Sequence, residues 1–174
     1  MMYPTKKIAF LGLMLALILI LVTIEGMLPP LPMLPPQFGR VGLSNVIVMY
    51  VLFFWGKKEA VTMVILKALF NTLMRGFLAG LLSLSGGLLS IIFIIIFYQI
   101  FKEKTSYISF SISGAIGHNM GQLAVACLIL QSHLLFISYF PILLISGAVF
   151  GTVTGLFLKV LIPIMVSIAG DSYE

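Results

Sequence analysis

The sequence predicts an all-α integral membrane protein, one bundle of six transmembrane helices with both termini in the cytoplasm. Three observations carry this. Hydrophobic residues make up 61% of the 174-residue chain and charged residues only 9%, with a mean hydropathy of +1.21; a soluble domain carries about 25% charged residues. The apolar residues form continuous runs, whereas barrel strands alternate polar and apolar over about ten residues. The Lys residues gather where the runs end, mostly on one side of the membrane.

The whole chain, 1–174, reads as a single transmembrane domain, because six spans of about 20 residues use most of it. Span one covers about 8–28, after Lys6 and Lys7. It resembles a signal peptide but lacks a small-x-small cleavage site, so it is expected to stay as a first helix. Pro29, Pro30, Pro32, Pro35 and Pro36 end it, since each proline lacks an N–H and restricts the residue before it. Span two, about 43–55, is short and closes on Gly56-Lys57-Lys58-Glu59. Span three is expected over about 60–82, with a break at Ser83-Leu84-Ser85-Gly86-Gly87. Span four follows at about 88–101, span five at 107–130, and span six at 140–166 after the polar loop Gln131-Ser132-His133.

With the N-terminus inside, Lys6, Lys7, Lys57, Lys58, Lys102, Lys104 and Lys159 all fall on the cytoplasmic side. Arg40 and Arg75 fall near the outer side, and Lys67 falls within span three. The expected location is therefore the cell membrane, crossed several times. Nucleic acid is excluded as a partner, because the basic residues are dispersed as topology signals. The lone Cys127 lies in an apolar stretch and rules out a disulfide framework.

Intramembrane cations are costly and face a partner or a water-filled cavity. The single Asp of the chain is Asp171 in the tail, and Glu25 is the one acid within a span. An anion from outside the chain is thus the expected partner of Lys67 and Arg75. Lys67, Asn71 and Arg75 recur at i, i+4 and i+8, along one helix face. Lys67 lies roughly 13 Å beyond Lys58, and Arg75 roughly 12 Å further out. Span five adds His118 and Gln122 on one face with Asn119 beside them. These polar groups serve either a ligand or interhelical hydrogen bonds. Glu25 is expected as a counter-ion for Arg40 or Arg75, and Phe53-Phe54-Trp55 as an aromatic belt at the interface.

Small residues recur at intervals of four: Gly147, Gly151 and Gly155 in span six, Ser113, Gly117 and Gly121 in span five, Gly12 and Ala16 in span one. Such ridges pack helices closely or dock another subunit. No phosphate-loop motif is present, and no nucleophile–base pair or aspartate cluster for Mg²⁺ is evident, so no enzyme activity and no cofactor is expected. No metal site is expected either, because neither histidine has a Cys or carboxylate at ligand spacing.

Several stretches together resemble the Gx transporter family, whose members are often labelled heptaprenyl diphosphate synthase component I. They are Gly42-Leu43-Ser44-Asn45-Val46, Phe54-Trp55-Gly56-Lys57-Lys58-Glu59-Ala60, Leu66-Lys67 with Asn71, Gly114 to Gln122, and Pro141-Ile142-Leu143-Leu144 with Gly147. That family is similar to the S-components of energy-coupling factor transporters. The resemblance implies an S-component-like six-helix bundle that captures a small molecule at the outer face, under the loop after span one. It also implies a transmembrane coupling subunit and ATPases as partners. S-components present an Ala-x-x-x-Ala face on helix one, and the nearest match here is Gly12-x-x-x-Ala16. The expected function is a substrate-binding subunit for uptake of a small anionic or vitamin-like molecule. Arg40, Asn45, Lys67, Asn71, Arg75, His118, Asn119 and Gln122 are the candidate contacts. The alternatives are a non-catalytic membrane partner of a polyprenyl diphosphate or quinone pathway enzyme, and a purely structural assembly subunit.

Overall fold

Long apolar runs fold as helices because lipid offers no partner for an unpaired backbone N–H or C=O. The computed structural model describes residues 4–27, 42–102 and 105–169. These form α1 (Pro4–Met27), α2 (Leu43–Phe54), α3 (Lys57–Arg75), α4 (Phe77–Phe101), α5 (Tyr107–Leu130) and α6 (His133–Ala169). Helices α1, α4, α5 and α6 are long and apolar enough to cross a membrane. Large apolar side chains such as Leu73, Phe77, Leu128 and Ile137 point outward, a surface that water would not tolerate at this extent and a bilayer covers.

Helix α2 has 12 residues, about 18 Å, too short for a hydrocarbon core of about 30 Å. It is placed inside the bundle, packed against α1, α3, α4 and α6. Ser44 and every residue from Val46 to Leu52 are buried. A short helix whose first turn lies inside the protein needs partners for its leading N–H groups. Glu25 on α1 supplies one, accepting a hydrogen bond from the Leu43 amide. Gly42 precedes the helix in the left-handed region, φ 75° and ψ 32°, which only glycine enters freely.

The break between α3 and α4 differs from expectation. It falls at Gly76, with φ 90° and ψ 168°, a region essentially restricted to glycine. The Ser83–Gly87 segment lies inside α4 and does not interrupt it. Its small residues are there for contact. A Cβ on Gly87 would press on Val64 of α3, and one on Gly86 would lie 2.7 Å from the His118 ring of α5. Helix α6 begins at His133 rather than near residue 140, and continues through Pro141 and Pro163.

The Gly147–Gly151–Gly155 ridge packs on α5, with Cβ positions 3.3, 2.5 and 2.7 Å from the Cα atoms of Ile116, Ile112 and Ile108. Gly117 and Gly121 pack on α4, against Leu89 and Phe93 and against Ser85 and Gly86. Gly12 and Ala16 are exposed on α1, and a Cβ on Gly12 would meet nothing within 4 Å. Neither is buried in the contacts between helices of this chain.

The two ends of α2 face different surroundings. At its C-terminal end Phe10 stacks on Trp55 at 5.0 Å and Tyr50 on Phe54 at 4.7 Å. Phe53 meets Phe110 edge-on at 5.3 Å. Phe53, Phe54 and Trp55, expected as an interface belt, are half-buried and form an aromatic layer at this end of the bundle. Beside it the Lys7 ammonium meets the Glu59 carboxylate at 2.5 Å and ties α1 to α3. That hydrogen bond holds the Glu59 carboxyl below the usual carboxylate range. At the other end of α2 lies a polar cavity.

Candidate functional site

The i, i+4 spacing of Lys67 and Asn71 turns both inward on α3, and both are buried. Helix α5 brings His118, Asn119 and Gln122 from the opposite side, and the first turn of α2 brings Ser44 and Asn45. With Val22 and Glu25 of α1 and Ala79, Leu82 and Ser83 of α4, they enclose a cavity of about 80 Å³, measured as space open to water centres.

Lys67 is only 6% exposed. Its ammonium donates to Asn45 Oδ1 at 2.6 Å. Asn71 does not answer that charge: its amide donates to Ser83 Oγ at 3.0 Å and to the Lys67 backbone carbonyl at 3.2 Å. Glu25, also 6% exposed, lies within the electrostatic reach of Lys67 and Arg75. Among the described residues the ion pair is that of Lys7 with Glu59; Glu25 is hydrogen-bonded to the Leu43 amide and feels the charge of Arg75 without contacting it directly, while Arg40 lies outside the described residues.

Two buried polar atoms of the wall lack a well-formed hydrogen bond, Ser44 Oγ and His118 Nδ1. The His118 ring lies against the Gly86 backbone, where a side chain would collide with it. Leaving the Ser44 hydroxyl unpaired costs about 1–3 kcal/mol. A guest with polar atoms would remove that cost.

Of the eight candidate contacts, Asn45, Lys67, Asn71, His118, Asn119 and Gln122 come together around the cavity. Asn119 also holds helices together, its amide donating to the Leu143 carbonyl at 2.9 Å and to Ser146 Oγ at 3.2 Å. Arg75 is apart from the cavity. Its guanidinium donates to the Val22 carbonyl at 3.0 Å and crosses Gly26, where a Cβ would strike it. It ties the end of α3 to α1. Arg40 lies outside the described residues.

Glu25, Ser44 and Ser83 line the cavity without having been singled out as ligand contacts from the sequence. For Ser83 a signal existed: Gly80, Ser83, Gly87 and Ser90 share one small, buried face of α4. For Glu25 none did, since its neighbour Leu43 lies beyond the proline-rich segment. A smaller cavity, about 30 Å³, shares Gly42 and Asn45 and reaches Ser90, Ser111 and Thr154. Among the described residues no three His, Cys, Asp or Glu side chains gather as metal ligands.

A family model described as heptaprenyl diphosphate synthase component I matches residues 14–161. No curated protein and no solved structure matches the chain.

Proposed function

The chain belongs to the heptaprenyl diphosphate synthase component I family, and from that premise we propose that it is the substrate-binding subunit of an uptake transporter. It resides in the cell membrane as a multi-pass protein and takes up a small anionic or vitamin-like molecule. One observation carries this reading: a polar cavity walled by a buried lysine whose ammonium is held by a neutral amide oxygen, with no carboxylate in direct ion-pair contact among the described residues. A buried cation that no carboxylate touches is costly in a membrane, and an anionic group bound in direct contact offsets that cost. The likeness of the Gx transporters to S-components supports the same role, with a coupling subunit and ATPases as partners.

Cavity size argues against enclosing an isoprenoid. A water needs about 10–15 Å³ of such space, so the cavity accommodates roughly five to eight non-hydrogen atoms. A polyprenyl chain is several times larger. The family description still favours a second reading, a non-catalytic membrane partner of a polyprenyl diphosphate enzyme. Affinity purification from native membranes separates the two. An ATPase module and a co-bound metabolite seen by native mass spectrometry support transport. A soluble prenyl synthase with an empty cavity would overturn it in favour of the partner role.

A further inference from the structure

The cavity contains charges of both signs, held apart. Glu25 and Lys67 both line it, and they do not form an ion pair with each other. Each is fixed instead by a neutral group of α2, Glu25 by the Leu43 amide and Lys67 by the Asn45 side chain. The first turn of α2 therefore acts as a spacer between a carboxylate and an ammonium. An ammonium has three donors and a carboxylate two acceptor oxygens with about four sites. One donor of Lys67 and one oxygen of Glu25 are engaged in these contacts, so both groups keep capacity for a guest.

A simple anion would answer Lys67 but bring a second negative charge towards Glu25. A simple cation would do the reverse. Selectivity of this kind rests on the repulsive element as much as on the attractive one. On the reading of this cavity as a ligand site, we propose that its ligand class is the small zwitterion. One molecule presents an anionic group to Lys67 and an ammonium to Glu25, with roughly five to eight non-hydrogen atoms in all. The neutral groups of Ser44, His118 and Gln122 complete its hydrogen bonding.

The test uses the full chain in lipid nanodiscs and calorimetric titration. The probes are glycine, β-alanine and 4-aminobutyrate, which span that size range. Each is compared with the acid lacking its amine (acetate, propionate, butyrate) and the amine lacking its carboxylate (methylamine, ethylamine, propylamine). At least one amino acid should bind the wild type at least tenfold more tightly than both of its partners. Glu25→Gln keeps a carbonyl oxygen for the Leu43 amide and should erase the preference over the acid. Lys67→Met should erase the preference over the amine. An acid that binds as tightly as its amino acid, and is weakened by Lys67→Met, overturns the zwitterion and leaves the anion site standing. Absence of binding by every probe overturns the zwitterion and the small-ligand reading together. Should a variant fail to fold, the wild-type preferences alone decide.

Discussion

Lys67 sits at the centre of the cavity wall, and its neighbours decide what its loss would do. The side chain is held by a neutral amide oxygen, so Lys67→Met breaks no direct ion pair, although it removes a favourable charge from the reach of Glu25. We expect that variant to fold as well as the wild type. Its affinity for a metabolite that co-purifies with the wild type should fall at least about tenfold, the equivalent of 1.4 kcal/mol. Thermal stability and affinity measured on one preparation check this, and lost stability with unchanged affinity would make Lys67 structural. Gly86 tests the wall from the other side. Gly86→Leu would push into the His118 ring and the His118 backbone carbonyl, which lie 2.7 and 3.0 Å from a Cβ. Tm should fall, and binding in whatever survives should fall too.

At the scale of elements, close approach and backbone conformation carry the predictions. Gly151→Leu places a bulky group against the Ile112 backbone of α5, so the α5–α6 pair must separate. Such overpacking costs roughly 1–3 kcal/mol, and unfolding in detergent should register it. Gly12→Ala is the matching control on α1, where open space surrounds the position and the better helix former should leave Tm unchanged or raise it slightly. Gly76 is a different case: there is room for a side chain, but φ is 90°. Gly76→Ala should therefore destabilise by about 1–3 kcal/mol through the backbone alone.

The same elements explain what could be read in the sequence. Lys67 with Asn71, and His118 with Gln122, were legible because i and i+4 share a face whatever else the helix touches. The α3–α4 break was not. A lone Gly76 within an apolar run looks like a tolerated helical glycine, whereas five small residues at 83–87 look like a loop. Inside a membrane bundle small residues mark close helix contacts, and that tertiary fact outweighs their turn propensity. The spacing of Arg75 with Lys67 and Asn71 suggests a ligand contact, and its tie to α1 is not legible because its seat is the absence of a side chain on Gly26. Glu25 reads from the sequence as a counter-ion and nothing more. Its role at the head of α2 depends on α2 being half-length and internal, which no local pattern announces.

For the whole molecule, the charge distribution predicts topology. Reporter fusions should find Lys57-Lys58 and Lys102-Lys104 in the cytoplasm and Pro32 and Ser132 outside. One loop on the wrong side would discard the six-span arrangement. The aromatic layer adds something to this picture. Asn45 at the cavity and Phe54 in the layer are nine residues apart on α2, about 13 Å along its axis. Between them every residue from Val46 to Leu52 is buried. Packed side chains of α2 therefore stand between the cavity and the aromatic layer. On the proposed uptake role, the chain alone in a bilayer would bind its ligand without conducting it across. Proteoliposomes that contain it and no other protein should retain a trapped load of radiolabelled β-alanine as long as bare vesicles do. On that same proposed role, delivery to the far side would require work done on the bundle by the partners the role implies.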